Sequence, residues 1–211
     1  MSDNPINRGF KYLTSAWLII VLGAACCALL IALDLGFKER IAKNQLKKVQ
    51  TDIEKLVPGT AKVEASTVCN TQVYQVRGKD GKTLAWGVKT LGAAWGPVEL
   101  LIVLDANAES LMGLSVLAAN AETPGLGDGI KKPDFLAQFV SSEARPMYPA
   151  TPFTAIKVGA PKANEIKALT GATVSSKGVC DSINKALTKN LLEALSKKST
   201  QNTTEIESNA K

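Results

Sequence analysis

Two short segments hold the residues whose types and spacing could do chemistry: NAETPGLGDG, from Asn120 to Gly129, and LTGATVSS, from Leu169 to Ser176. The second places the hydroxyl of Thr173 after Thr170, Gly171 and Ala172 and ahead of Val174, Ser175 and Ser176, where an apolar periodicity reads as the start of a helix. Small neighbours let a bulky group approach the backbone, and a helix start offers unpaired N–H groups suited to a phosphate. The plainer reading of the same residues is an ordinary Ser/Thr helix cap, with Ser175 or Ser176 in that role. In the first segment Glu122, Thr123, Gly125, Leu126 and Gly127 surround Pro124. Taken alone, that string reads as a turn, because Gly and Pro punctuate turns.

Composition removes many alternatives. The 211 residues contain no histidine, which excludes His-based zinc sites, His-ligated haem and every Ser-His or Cys-His nucleophile pair. A net charge of +6 from 25 basic residues without an aromatic-interleaved cluster gives no nucleic-acid groove. Of four cysteines, Cys26 and Cys27 lie in the most apolar stretch, leaving Cys69 and Cys180 for a soluble domain. A disulfide between those two and a pair of free buried thiols both fit the sequence.

The elements that must position the two segments follow from patterning. Val73–Val76 and Leu84–Val88 flank Lys79-Asp80-Gly81-Lys82, a hairpin signal. Val98–Leu104 reads as a buried strand, Asp105–Glu109 as a turn and Leu111–Leu117 as the returning strand of an antiparallel meander. Pro133–Phe139 predicts a short helix and Phe153–Val158 another strand. Val179, Ile183, Leu187, Leu191 and Leu195 mark one face of a final helix. The globular part is therefore α+β, over residues 59–196, and the polar residues 197–211 are expected to be disordered.

Ahead of it, behind a short tail (residues 1–11), lies YLTSAWLIIVLGAACCALLIAL from Tyr12 to Leu33, uncharged and long enough to cross a hydrocarbon core about 30 Å thick. A transmembrane helix over 12–35 is the expectation. A cleaved signal peptide fits less well because no A-x-A site closes the run, and a lipoprotein site would need Leu where Gly23 stands before Cys26. Phe37, Ile41, Leu46, Val49, Ile53 and Leu56 then recur at helical spacing, with Lys38, Arg40, Lys43, Lys47 and Lys48 among them, predicting an amphipathic stalk over 36–58 that Pro58-Gly59 ends. Its basic residues suit lipid headgroups. Counting basic residues on either side of the span places the globular part inside, but that rule weakens when a long domain follows, so composition leaves sidedness open.

With both segments and the helix ahead of them in view, the sequence resembles the FMN-binding domain family shared by the RnfG and NqrC subunits of ion-translocating oxidoreductases. Glu122–Gly127 matches the family's ETPGLG string and Thr170–Ser176 its S/T-G-A-T-x-S-S/T string, in the same order, and the likeness covers nearly the whole chain. Compact length without a large insertion favours the RnfG-like branch. The resemblance implies FMN joined through a phosphoester to Thr173 by a separate flavin transferase using FAD, with Thr170, Gly171, Ala172, Ser175 and Ser176 around the phosphate. It further implies that Glu122, Thr123, Gly125, Leu126 and Gly127 lie against the flavin, where Thr123 or backbone amides could tune the ring. Implied too are a redox subunit without complete activity alone, partner subunits RnfA, RnfB, RnfC, RnfD and RnfE, and coupling of ferredoxin/NAD electron transfer to Na⁺ or H⁺ translocation. The expected location is the inner (plasma) membrane, single-pass, N-terminus cytoplasmic and FMN domain extracytoplasmic. Two positions depart from the family pattern: Lys167 stands where the transferase target usually has aspartate, and Asn120 where many relatives have a histidine able to titrate.

Competing readings are an NqrC-like subunit, a stand-alone membrane-anchored flavoprotein and, from another class, a pilin-like structural protein. For the last, Arg8-Gly9-Phe10 before an apolar helix is similar to a prepilin, but Thr14 occupies the place of the prepilin glutamate.

Overall fold

A computed structural model describes residues 5–209; the remaining residues of the two expected tails lie outside the described residues. The chain divides into two compact units, 1–47 and 48–211. One helix, α1 (Pro5–Leu56), contributes to both. In the N-terminal unit Ile20, Leu22, Leu29, Leu30 and Ile31 are all exposed, and the helix is long and apolar enough to cross a membrane, with a window of mean hydropathy 2.5. Beyond that window the i,i+4 pairs Asp34–Lys38 and Glu39–Lys43 mark the change to charged surface.

The second unit is built on an antiparallel meander: β1 (Lys62–Val68), β2 (Thr71–Arg77), β3 (Thr83–Ala93), β4 (Pro97–Asp105) and β5 (Leu111–Ala118), paired in that order. The last four match the expected strands. β1 was not foreseen. It pairs with β2 through a tight turn in which Cys69 and Asn70 both take positive φ, 48° and 61°.

Both faces of this sheet are covered, which explains the unbroken apolar run Leu100–Leu104 in β4. Leu100, Ile102 and Leu104 point into the larger core, while Leu101 and Val103 point into a smaller one. Over the larger core lie α2 (Pro133–Leu136), the short parallel pair β6 (Thr154–Ile156) and β7 (Glu165–Lys167), α3 (Thr173–Ala186) and α4 (Lys189–Asn209). Phe135, Phe139 and Phe153 stack edge-on or tilted within it, at centroid distances of 5.6 and 6.0 Å. Asn164 is buried and fully engaged, accepting from the Tyr148 amide and donating to the Tyr148 and Thr151 carbonyls.

The smaller core is sealed by the end of α1. Val49, Ile53 and Val57 are at most 2% exposed and pack on Tyr74, Val76, Ala85, Leu101, Val103 and Leu117. Gly87, Val103 and Gly113 sit side by side on β3, β4 and β5. The two glycines leave a trough: a Cβ at Gly87 would lie 3.3 Å from Ile53 Cδ1, and one at Gly113 3.0 Å from Leu56 Cδ2. Polar bonds flank the seat, with Ser115 Oγ donating to Asp52 Oδ2 at 2.8 Å and Lys48 Nζ donating to the Leu117 carbonyl.

Three expectations are corrected here. The globular unit begins at Lys48, not near residue 60, because the last turns of the stalk supply half of a core. The single final helix is two, broken at Leu187 and Thr188, with Leu191 and Leu195 reaching the core from α4. The polar tail is helical through Asn209 where disorder was expected, continuing a helix whose earlier turns are anchored by those leucines. Cys69 is exposed and Cys180 buried, both free thiols.

Candidate functional site

The two small-residue segments, about fifty positions apart in the chain, meet at the start of α3. Ala172 is the N-cap residue, with φ −129° and ψ 41°, and no side chain caps the helix. Ser176 N, bonded to the Ala172 carbonyl at 3.0 Å, is the earliest backbone donor of the helix ladder. By helix geometry the N–H groups of Thr173, Val174 and Ser175 therefore lack intrahelical acceptors. Thr173 is the first residue of α3 and is half-buried; Val174 beside it is 49% exposed.

Ser175 and Ser176 are each 0% exposed and neither caps the helix, contrary to expectation. Ser176 Oγ donates to the Ala172 carbonyl and accepts from Leu169 N, both at 3.0 Å, which folds residues 169–172 back over the first turn. Ser175 Oγ donates to Glu122 Oε2 at 2.5 Å. Their position inside the first turn, three and four residues past the cap, directs both hydroxyls inward and leaves the backbone amides facing the opening.

The Glu122–Gly127 segment lies against this turn. Glu122 is 6% exposed, whereas Thr123, Gly125 and Leu126 are exposed and Gly127 is buried. Leu126 N and Asp128 N both donate to the Thr123 carbonyl, which rolls the loop into a turn. Gly127 has to be glycine: a Cβ there would overlap the Glu122 carboxylate and come within 3.0 Å of Ser175 Oγ. Gly171 has φ +77° and would place a Cβ 2.9 Å from Leu126 Cδ2, so backbone conformation and close approach both favour glycine. Thr170 and Gly171 are exposed and Ala172 is buried.

A residue not singled out from the sequence joins the site. Trp95 occupies the tip between β3 and β4, 68% exposed, and its backbone N–H donates to Glu122 Oε1 at 3.3 Å. The signal was present as a tryptophan in an AAWGP turn, where burial of the ring within a strand is not available. Asn120 and Lys167 are exposed; the backbone of Lys167 is held in β7 by Gln138, whose Oε1 accepts from Lys167 N at 2.8 Å. No group of three or more His, Cys, Asp or Glu side chains suited to a metal occurs among the described residues.

This arrangement offers one reactive-type hydroxyl, three backbone donors without helix partners, and exposed apolar side chains at Trp95, Leu126 and Val174. It can hold an anion at the helix start and an apolar ring system beside it. The glycine-lined approach at Gly125 and Gly171 admits such a group, so the residues present fit a flavin mononucleotide.

Residues 94–188, which include both segments and Trp95, match the FMN-binding domain family. The sequence is 26% identical over 178 residues to the G subunit of the ion-translocating oxidoreductase complex of Methanosarcina acetivorans, covering 80% of this chain and 89% of that protein. It is 27% identical over 150 residues to the G subunit of the proton-translocating ferredoxin:NAD(+) oxidoreductase complex of Clostridium ljungdahlii, covering 70% and 75%. Among solved structures, NqrC of Shewanella oneidensis aligns over 68% of this chain and 70% of its own, at TM-score 0.49 and 17% identity. The C subunit of the Na(+)-translocating NADH-quinone reductase from Parabacteroides distasonis aligns over 59% and 62%, at TM-score 0.47 and 24% identity. Over residues 94–188 this chain is similar to FMN-binding domains, and over most of its length it is similar to the G subunits of ion-translocating oxidoreductase complexes.

Proposed function

We propose that the domain carries FMN as a phosphoester on Thr173 and serves as a membrane-anchored electron-transfer subunit of an Rnf-type complex. The observation that carries this reading is the uncapped start of α3, where Thr173 is the first helical residue and the amides of Thr173, Val174 and Ser175 are without helix acceptors. A phosphate joined to Thr173 Oγ lies within reach of those donors and of the helix's positive end. Bound FMN supplies the acceptance and donation of electrons. The chain's own residues hold it: α3 takes the phosphate, and the 122–127 loop and the hairpin tip bound the ring. A separate flavin transferase installs the group, as the resemblance at Thr170–Ser176 implies.

The remaining Rnf subunits, RnfA to RnfE, are the proposed partners, and α1 is the single membrane span, with the FMN domain on the extracytoplasmic side. The names of the two relatives support a complex of this kind. Co-expression with a flavin transferase tests the reading: intact mass should rise by one FMN and the denatured band should fluoresce in the wild type, with both lost in Thr173→Ala. Unaltered mass in the wild type contradicts it. Labelling of exposed Cys69 from the cytoplasmic side alone contradicts the sidedness.

A further inference from the structure

We infer that Glu122 is a positioning residue: its buried carboxylate ties the β3–β4 hairpin tip to the first turn of α3, holding Trp95 and Thr173 in one site. This rests on the proposed attachment of FMN at Thr173 and deepens it. A carboxylate beside a helix start usually contacts solvent or a ligand, but Glu122 is 6% exposed and both of its oxygens are already engaged. Oε1 accepts from the backbone N–H of Trp95, and Oε2 accepts from Ser175 Oγ, two residues beyond Thr173. Three segments from separate parts of the chain therefore converge on one side chain. The tip has a second seat on the same helix, at Gly178, where a Cβ would lie 2.6 Å from the Ala93 carbonyl and 2.8 Å from Ala94 Cβ. Gly178 fixes how closely the tip approaches α3. Glu122 fixes how the tip is turned, because its bond is to the amide of the residue that carries the exposed indole.

The same geometry leaves a negative group built into the floor of an anion site. Its charge cannot be screened well by water at that burial, so it disfavours added negative charge on a neighbouring redox group. A neutral residue of the same shape should raise the flavin midpoint potential while its oxygen keeps the Trp95 bond and its NH2 donates to Ser175 Oγ in place of the accepted bond. A shortened side chain should release the strut as well.

Glu122→Gln, Glu122→Ala and Ser175→Ala in the full-length protein separate these effects. In the flavin-free protein, hydrogen–deuterium exchange at the Trp95 amide should accelerate by about tenfold in Glu122→Ala, the equivalent of losing one hydrogen bond to a charged group. It should change little in Glu122→Gln, with β4 amides from Leu100 to Leu104 serving as the check that each variant is folded. In the flavinylated protein, Glu122→Gln should show a more positive midpoint potential, whereas Glu122→Ala should load flavin more slowly than Glu122→Gln. Unaltered exchange at Trp95 in a folded Glu122→Ala overturns the strut. An unchanged potential in Glu122→Gln overturns the charge effect. Wild-type protein without flavin on Thr173 overturns the underlying attachment, while the exchange measurement still decides the strut.

Discussion

The two faces of the sheet are covered in different ways. The larger face is closed by elements that follow the sheet in the chain, and it carries the uncapped start of α3 with Thr173. The smaller face is closed by the end of α1, which precedes the sheet and is also the end of the helix that bears the apolar span. One face therefore carries the candidate site and the other receives the end of the apolar helix. Gly87 and Gly113 seat Ile53 and Leu56 in a trough, so the end of α1 is packed within the unit 48–211.

The sharpest way to break this comparison is to remove the helix end. A chain beginning at residue 58 lacks Val49, Ile53 and Val57, three fully buried aliphatic side chains worth roughly 2 kcal/mol each and about 6 kcal/mol together. That rivals the whole stability of a typical domain. Such a chain should lose its cooperative thermal transition, while a chain beginning at Lys48 keeps it, as followed by circular dichroism. Within the full protein, Ile53→Ala should cost about 3 kcal/mol in denaturant unfolding, from lost burial and the cavity left in the trough. Flavin loading of the folded fraction should be unaffected, since the mutated face is not the one that carries Thr173.

On the opposite face, Ser175→Ala should cost about 2 kcal/mol by leaving Glu122 Oε2 without its donor in a buried place. That variant should also slow flavin loading, so stability and loading fall together here and separate at Ile53. The mildest effect concerns Cys180, whose thiol burial pushes up to about 12 from an ordinary 9.0, with the nearby Asp181 adding to the shift. The folded state holds that proton more tightly than the unfolded one, so its contribution is fully present below pH 9 and is lost as the pH rises from about 9 toward 12. Native protein treated with a thiol reagent at pH 8 should accordingly react at Cys69 and not at Cys180.

The same asymmetry governs what the sequence disclosed. Strands β2 to β5 were legible because their apolar runs are bounded by Asp-Gly and Asp-to-Glu turn residues. β1 was not, because Lys62–Val68 is an edge strand whose largely polar, half-exposed sequence has only Val63 and Ala65 in alternation. The break between α3 and α4 was hidden because Leu187, Leu191 and Leu195 keep a helical spacing across it. Of the stalk's apolar residues Val49 and Ile53 are buried while Phe37, Ile41 and Leu46 are exposed, and the partner of the buried ones could not be read, since the trough comes from two glycines that only strand register brings together. At the site, the two motifs meet at the start of α3, and the cap role expected of Ser175 and Ser176 is not the one they take. Ser175 and Ser176 look like caps by type, yet their place inside the first turn sends them to Glu122 and Ala172. The two partners of Glu122, Trp95 N and Ser175 Oγ, could not be read from the sequence, because they come from segments 27 and 53 residues away.

Peptide mapping decides whether FMN is joined to Thr173. Full-length protein made with a flavin transferase is digested and the peptide spanning Ala168–Lys177 is sequenced by fragmentation mass spectrometry. The account predicts one FMN localised to Thr173, and its absence from Thr170, Ser175 and Ser176. FMN on any other residue, or none on this peptide in protein that is otherwise folded, would contradict it.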